Sequence, residues 1–221
     1  MVSKEHPFER LVSVIDTLLG PDGCPWDREQ TVLSLSRMLL EEACETLDAI
    51  NDPHVESLAG ELGDLFFTAL FLAKCAEKET RFVWTLPFEK AVEKLVRRHP
   101  HIFGTGSGVR TAKEVEEQWD VIKATEPEHS ERKSRFDGIA KSLPALAMVQ
   151  KLIQKARKSA PLQATAEELI KTPRQNAEEE LGRKMACLVL EAEKSGIPAE
   201  EALRRFFIAC RDKLVEEENV L

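Results

Sequence analysis

Glu41-Glu42-Ala43-Cys44-Glu45 and, after a gap of fifteen residues, Glu61-Leu62-Gly63-Asp64 place five carboxylates on two segments that otherwise read as apolar helix. At about 100° per residue, Glu42 and Glu45 lie one turn apart on one helix face, and Glu61 and Asp64 repeat that spacing. A short connection favours antiparallel packing of two such helices, which aims four acids at one seam. Carboxylates crowded into a partly buried seam repel one another and lose hydration, so they require a cation. All-oxygen ligation suits Mg²⁺, Mn²⁺ or Ca²⁺ rather than zinc. An isolated EExxE is more often a solvated helix face. Here Leu39, Leu40, Leu47 and Ile50 share the first helix, and the run Leu65 to Ala73 follows the second acidic pair, which sets the acids at the border of a core. Asp48 shares the face of Glu41 and Glu45 and is read as outlying or solvent-facing.

The elements that must position these acids are all helical. The chain has 221 residues, 43% hydrophobic and 32% charged, with ten glycines and no tyrosine, and no run alternates at period two. Apolar periodicity predicts helices over about 6–19, from Thr31 as cap to 49 or 50, through Glu61 and Asp64 to about 79, from Pro87 to the Arg97-Arg98-His99-Pro100-His101 segment, and over 114–124. Gly20 to Asp27 reads as an irregular turn-rich loop, Asn51-Asp52-Pro53 as a helix breaker with Pro at the next helix start, and Gly104 to Val109 as a loop. Further helices are expected over 142–158, 164–171, 174–195 and 198–217. The expected organisation is a helical domain over 1–125, a polar linker over 126–136 and a second helical unit over 137–221.

That second unit carries a weak internal repeat. Glu180-Leu181-Gly182-Arg183 echoes Glu61-Leu62-Gly63-Asp64, and Ile197-Pro198-Ala199-Glu200-Glu201-Ala202 echoes Leu86-Pro87-Phe88-Glu89-Lys90-Ala91. Arg183 stands where Asp64 stood, and a guanidinium cannot ligate a cation. The second unit is therefore expected to hold no metal and to serve packing or assembly.

Composition narrows the partners. A net charge of −8 disfavours non-specific binding to nucleic acid. The charged N-terminal residues lack the apolar core of a signal peptide, and no apolar run is long enough to span a bilayer. Cys24, Cys44, Cys75, Cys187 and Cys210 form no CxxC pair and read as reduced, mostly buried thiols of a cytoplasmic protein.

On these residues the chain resembles the MazG family of nucleoside triphosphate pyrophosphohydrolases. The matching pieces are Gly23-Cys24-Pro25-Trp26-Asp27 with Gln30-Thr31, Leu39-Leu40-Glu41-Glu42-Ala43-Cys44-Glu45, Gly60-Glu61-Leu62-Gly63-Asp64-Leu65 and Arg97-Arg98-His99-Pro100-His101-Ile102-Phe103, with Trp119-Asp120-Val121-Ile122-Lys123 as a further segment. The resemblance implies an all-α NTP pyrophosphatase fold assembled as a homodimer. It also implies Mg²⁺-dependent hydrolysis of an NTP or dNTP to the monophosphate and pyrophosphate, with Mn²⁺ as a possible substitute. It makes Glu41, Glu42, Glu45, Glu61 and Asp64 the metal-binding and water-activating set, and the second unit a degenerate copy of the first. Met38 departs from an aromatic residue often found near the motif.

Within that reading Glu42, Glu45, Glu61 and Asp64 are the metal ligands, and Glu41 or Glu42 is the proton acceptor for the attacking water. Lys94, Arg97, Arg98, His99 and His101 form the densest basic cluster. Basic residues at a helix end routinely offset its dipole, but a triphosphate also needs donors besides metal. Arg97, Arg98, Lys94 and Lys123 are the candidate phosphate contacts. Trp26 and Trp119 are candidates to stack on the base or are plain core, Trp84 is core, and Cys24 is a packed thiol. Two other classes compete. A di-iron bundle needs a Glu-x-x-His on each of two helices, and the sequence offers that spacing only at Glu126 to His129. A non-enzymatic helical adaptor would use the acids for a structural ion.

Overall fold

Apolar residues at helical spacing fold the chain into a series of helices, seen in a computed structural model that describes residues 6–50, 54–104, 108, 111–126 and 133–219. The first seven are α1 (Pro7–Leu19), α2 (Pro25–Glu29), α3 (Ser36–Ala49), α4 (Val55–Lys78), α5 (Leu86–Arg98), α6 (Pro100–Phe103) and α7 (Ala112–Ala124). A 3-10 turn at Arg135–Gly138 precedes α8 (Ala145–Ala156), α9 (Ala160–Lys171), α10 (Ala177–Lys194) and α11 (Ala199–Glu218). Among the described residues there is no strand, so the fold is all-α. The chain divides into two compact units, Met1–Lys123 and Ala124–Leu221.

In the first unit the core is a cluster of Ile15, Leu35, Leu70, Phe71 and Cys75, flanked by Leu11, Val32, Met38, Phe67 and Trp84. Three of its five members, Leu70, Phe71 and Cys75, come from α4, the long helix that also carries Glu61 and Asp64. Lys74 is buried on α4, and its ammonium is compensated by Asp16 of α1 at 2.7 Å and by the ring of Trp84, whose centroid is 4.1 Å away. The Glu79 carboxylate, just past α4, accepts the Val32 backbone N–H at 2.8 Å and the Arg81 Nε–H at 2.7 Å. The first of these bonds above all holds the Glu79 carboxyl below its usual range, and together they clamp the approach to α3 onto the end of α4.

The structure corrects two boundaries. The turn-rich loop contains a short helix: Pro25 opens α2, and Arg28 donates to the Pro21 carbonyl at 2.7 Å. Within the true loop, Gly23 is required because a Cβ there would fall 2.2 Å from the Leu18 carbonyl oxygen. Thr31 does not start α3 directly. The Ser34 backbone N–H donates to Thr31 Oγ1 and the Thr31 N–H to Ser34 Oγ, which holds a separate turn and delays α3 to Ser36. The Asn51-Asp52-Pro53 breaker and most of the 104–109 and 126–136 segments lie outside the described residues.

In the second unit Ile153, Val189, Leu190 and Ala199 form the core. Beside it, buried Gln150 donates to Glu193 and to the Ile197 carbonyl, both at 2.9 Å, and accepts the Ala199 N–H at 2.8 Å. Gln154 and Arg157 also donate to Glu193, each at 3.0 Å. Burial by itself would raise the Glu193 pKa, but these donors outweigh it and hold the carboxyl below its ordinary value. A depressed pKa makes the folded chain bind the proton more weakly than the unfolded chain. Glu193 therefore adds stability above the ordinary carboxylate pKa, and that stability is lost as pH falls through the lowered value. Gln150→Leu is expected to cost about 1–3 kcal/mol in urea unfolding by leaving the Ala199 N–H and the Ile197 carbonyl unpaired. It should also shrink the acid-induced loss.

Candidate active site

α3 and α4 form the most extensive helix pair of the first unit. Their register is set beside the acids by Thr46. This buried hydroxyl donates to the Glu42 carbonyl at 2.7 Å on its own helix and lies 3.3 Å from the Glu61 carbonyl on α4. Thr46 escaped notice in the sequence, where one threonine four residues past Glu42 looks like any helical residue. Its signal is the i, i+4 spacing to an acid combined with a small side chain able to lie in a helix contact.

The spacing argument places the acids as follows. One carboxylate oxygen each from Glu42, Glu45 and Glu61 lies within 4.8 Å of the other two. Among the described residues no other three potential ligands are gathered in this way. Asp64 stays outside that tight group but acts on it. The Glu42 pKa is raised first by burial, then by the negative charges of Asp64, Glu45 and Glu61, and least by that of Glu41. Glu41 is exposed, beyond the three. Acids that raise a neighbour's pKa form a site under electrostatic strain, and hard oxygen donors at this separation fit a divalent cation such as Mg²⁺ or Mn²⁺.

A carboxyl whose pKa is raised on folding holds its proton more tightly in the folded chain. Without cation, Glu42 therefore favours folding at low pH and weakens it as pH rises through the raised value. A cation needs the ionised form and binds more weakly as pH falls. The rise in Tm produced by added Mg²⁺ is thus expected to be large near pH 8 and small near about pH 5, where carboxyls begin to protonate. Thermal melts with and without the ion check this.

Of the basic candidates, Lys123 lies beside Trp119 on α7. The Trp119 indole meets His99 edge-on at 5.2 Å between centroids, and Lys123 Nζ sits 5.5 Å from its centroid. His101 hydrogen-bonds Gln118 at 3.1 Å, which further ties the turn after α5 to α7. Arg97, Arg98 and half-buried Lys94 lie at the end of α5, leading into that turn. The buried Trp119 Nε1–H has no hydrogen-bond partner among the described residues. Trp26 is 55% exposed on α2, so it is not core. Trp84 packs against the core cluster. Cys75 is buried, Cys24, Cys44 and Cys187 are half-buried, and all five cysteines are free. Cys210 is exposed, so the expectation of mostly buried thiols is corrected: Cys75 alone of the five is buried.

In the second unit the repeat motif is engaged differently. Arg183 grips Glu180 through two bonds of 2.7 Å, and the Glu180 pKa is pulled down to about 2 by that contact and by the Arg174 N–H. A groove of about 630 Å³ between α8, α9 and α10 is walled by Leu152, Leu162, Leu169 and Ile170. Its walls are mostly apolar and Glu179 is the one acid on them, so the chemistry follows the carboxylates of the first unit.

These features define an all-helical protein whose first unit converges acids from two packed helices. Residues 30–103, which carry those acids together with Arg97 and Arg98, match the MazG nucleotide pyrophosphohydrolase domain, and the chain belongs to the MazG family. It is 40% identical over 148 residues to a nucleoside triphosphate pyrophosphohydrolase of Escherichia coli K12, covering 66% of this chain and 56% of that one. It is 37% identical over 149 residues to a nucleoside triphosphate pyrophosphohydrolase/pyrophosphatase MazG of Thermotoga maritima, covering 67% and 56%. The chain thus spans a little over half the length of these curated relatives. An uncharacterized 26.1 kDa protein of Streptomyces cacaoi is 31% identical over 215 residues, covering 96% of this chain and 84% of that protein. No helix among the described residues is long and apolar enough to cross a membrane.

Proposed function

We propose that the first unit hydrolyses nucleoside or deoxynucleoside triphosphates to the monophosphate and pyrophosphate, using Mg²⁺, or Mn²⁺ in its place, held by Glu42, Glu45, Glu61 and Asp64. The observation that carries this reading is the approach of Glu42, Glu45 and Glu61 to within 4.8 Å, with Glu42 held above its ordinary pKa. The names of the Escherichia coli and Thermotoga relatives support the substrate class. A bound divalent cation would supply the positive charge that offsets the phosphate oxygens during transfer. Glu41 lies outside the three clustered acids and is assigned as the acceptor of the water proton, because a carboxylate not engaged in ligation keeps its basicity. Arg97, Arg98, Lys94 and Lys123 orient the triphosphate, and Trp26 stacks on the base. The exposed apolar side chains of α3 and α4, including Leu40, Leu47, Leu62 and Phe66, support a homodimer that closes around the acidic seam. The free thiols support a reducing, cytoplasmic setting.

Incubation of the full chain with each NTP and dNTP plus Mg²⁺ should release pyrophosphate. Glu41→Gln should lower kcat by about 10²–10⁴ with an unchanged Mg²⁺ requirement, as expected for loss of a general base. Glu42→Gln should raise the Mg²⁺ concentration needed. A cation-dependent rise in Tm without any nucleotide product would establish the adaptor instead, and release of orthophosphate would refute the reaction.

A further inference from the structure

The acidic face of α4 ends in a hydroxyl to which the proposed reaction gives no part. At about 100° per residue, Thr68 lies about 20° round the helix from Glu61 and about 40° from Asp64, so all three share one face. Burial changes sharply along that face. Glu61 is half-buried and Asp64 exposed, whereas Thr68 is fully buried. Thr68 is therefore the floor beneath the two acids of α4, one turn past Asp64. Side chains on a helix tilt toward its N-terminus, which leans Thr68 back under Asp64.

We propose that Thr68 is a positioning residue of the cation site: its hydroxyl donates to the Asp64 carboxylate and turns it toward the oxygens of Glu42, Glu45 and Glu61. The proposal rests on the reading of those acids as a cation site.

Three observations carry it. First, Thr68 Oγ1 is buried and has no hydrogen-bond partner among the described residues. A buried hydroxyl in that state destabilises a chain, and one set against a site calls for a partner that the site supplies. Second, its own helix does not satisfy it. Thr17, Thr46 and Thr165, the other threonines within the described helices, each donate to the carbonyl four residues back, at 2.9, 2.7 and 3.0 Å. Thr68 makes no such bond to the Asp64 carbonyl, which leaves its donor for a side chain. Third, Asp64 is the acid that needs positioning. Oxygens of Glu42, Glu45 and Glu61 already lie within 4.8 Å of one another, and Asp64 stands outside that group. A carboxylate that gives one oxygen to a cation keeps the other to accept a hydrogen bond, and such outer partners orient ligands. Asp64 and Thr68, at i and i+4, are neighbours on one helix face.

Mn²⁺ is titrated into the full chain without nucleotide, and the free ion is read by electron paramagnetic resonance, which gives Kd independently of turnover. Thr68→Val, which keeps the shape and loses the donor, is expected to raise Kd by about 10–100-fold. Thr68→Ser restores the donor and should return Kd to near the parent value. Because Thr68 acts through Asp64, Thr68→Val should add nothing once Asp64→Ala is in place. Circular dichroism checks that each variant keeps its helices. Equal Kd in the parent chain and in Thr68→Val would overturn the proposal and leave the cation site standing. So would binding by Thr68→Ser as weak as that by Thr68→Val, or an undiminished effect of Thr68→Val beside Asp64→Ala, since either marks packing rather than donation. A parent chain that binds no Mn²⁺ would refute the cation site itself, and this proposal with it.

Discussion

Glu61→Gln is expected to abolish cation-dependent triphosphate hydrolysis, lowering kcat/KM by about 10³-fold or more, while making the cation-free protein harder to melt. The two effects have one cause. The Glu61 carboxylate stands within 4.8 Å of oxygens from Glu42 and Glu45, and its charge is among those that raise the Glu42 pKa. A neutral amide keeps the shape, removes that repulsion and loses an anionic ligand. Relief worth about 1 kcal/mol would lift Tm by about 2–4 °C in a protein of this size. Added Mg²⁺, which should raise the Tm of the parent chain, should do little for the variant. Kinetics and paired melts read both. If the variant is both inactive and less stable without cation, the acids are not under mutual strain and the site has been misread. Such opposition between stability and activity is common where function demands clustered like charges.

How much of this was legible beforehand depends on the range of the interactions. Helical periodicity and the i, i+3 spacing of Glu42 with Glu45 and of Glu61 with Asp64 are local, and local spacing suffices to forecast a seam once two helices pack antiparallel. The internal repeat was visible because motif residues keep their order, but Arg183 announced only that this copy would not ligate a cation, and its grip on Glu180 is a finding of the structure. Side-chain hydrogen bonds that compete with or cross the helices were not visible, whether near or far along the chain. The anchoring of α2 depends on Arg28 reaching the Pro21 carbonyl, against the loop chemistry of its glycines. The delayed start of α3 depends on side-chain bonds between Thr31 and Ser34 that compete with the helix. Thr46 became informative only when α4 lay against it. Burial assigned by residue type fails for the thiols, because position decides it: Cys75 on α4 faces the core, whereas Cys210 on α11 is exposed.

Phe71→Ala should be the most damaging substitution in the first unit that touches no acid. Phe71 is fully buried, in a cluster with Ile15, Leu35, Leu70 and Cys75, and its ring stacks on Phe67 with centroids 5.5 Å apart and planes 12° from parallel. Truncation removes the transfer energy of the ring and leaves a cavity that three elements must collapse to fill, for a cost of about 3–5 kcal/mol. That is a large share of the roughly 5–15 kcal/mol typical of a folded domain. Thr68→Val, one turn earlier on α4, should act in the opposite sense. The Thr68 hydroxyl is fully buried and has no hydrogen-bond partner among the described residues, so the nearly isosteric apolar side chain is expected to stabilise by about 1–2 kcal/mol. Chemical denaturation of both variants tests whether α4 sits where its contacts place it. A cost below about 1 kcal/mol for Phe71→Ala would be that of a surface residue. It would detach α4 from this core, and with it the support that holds Glu61 and Asp64 against α3.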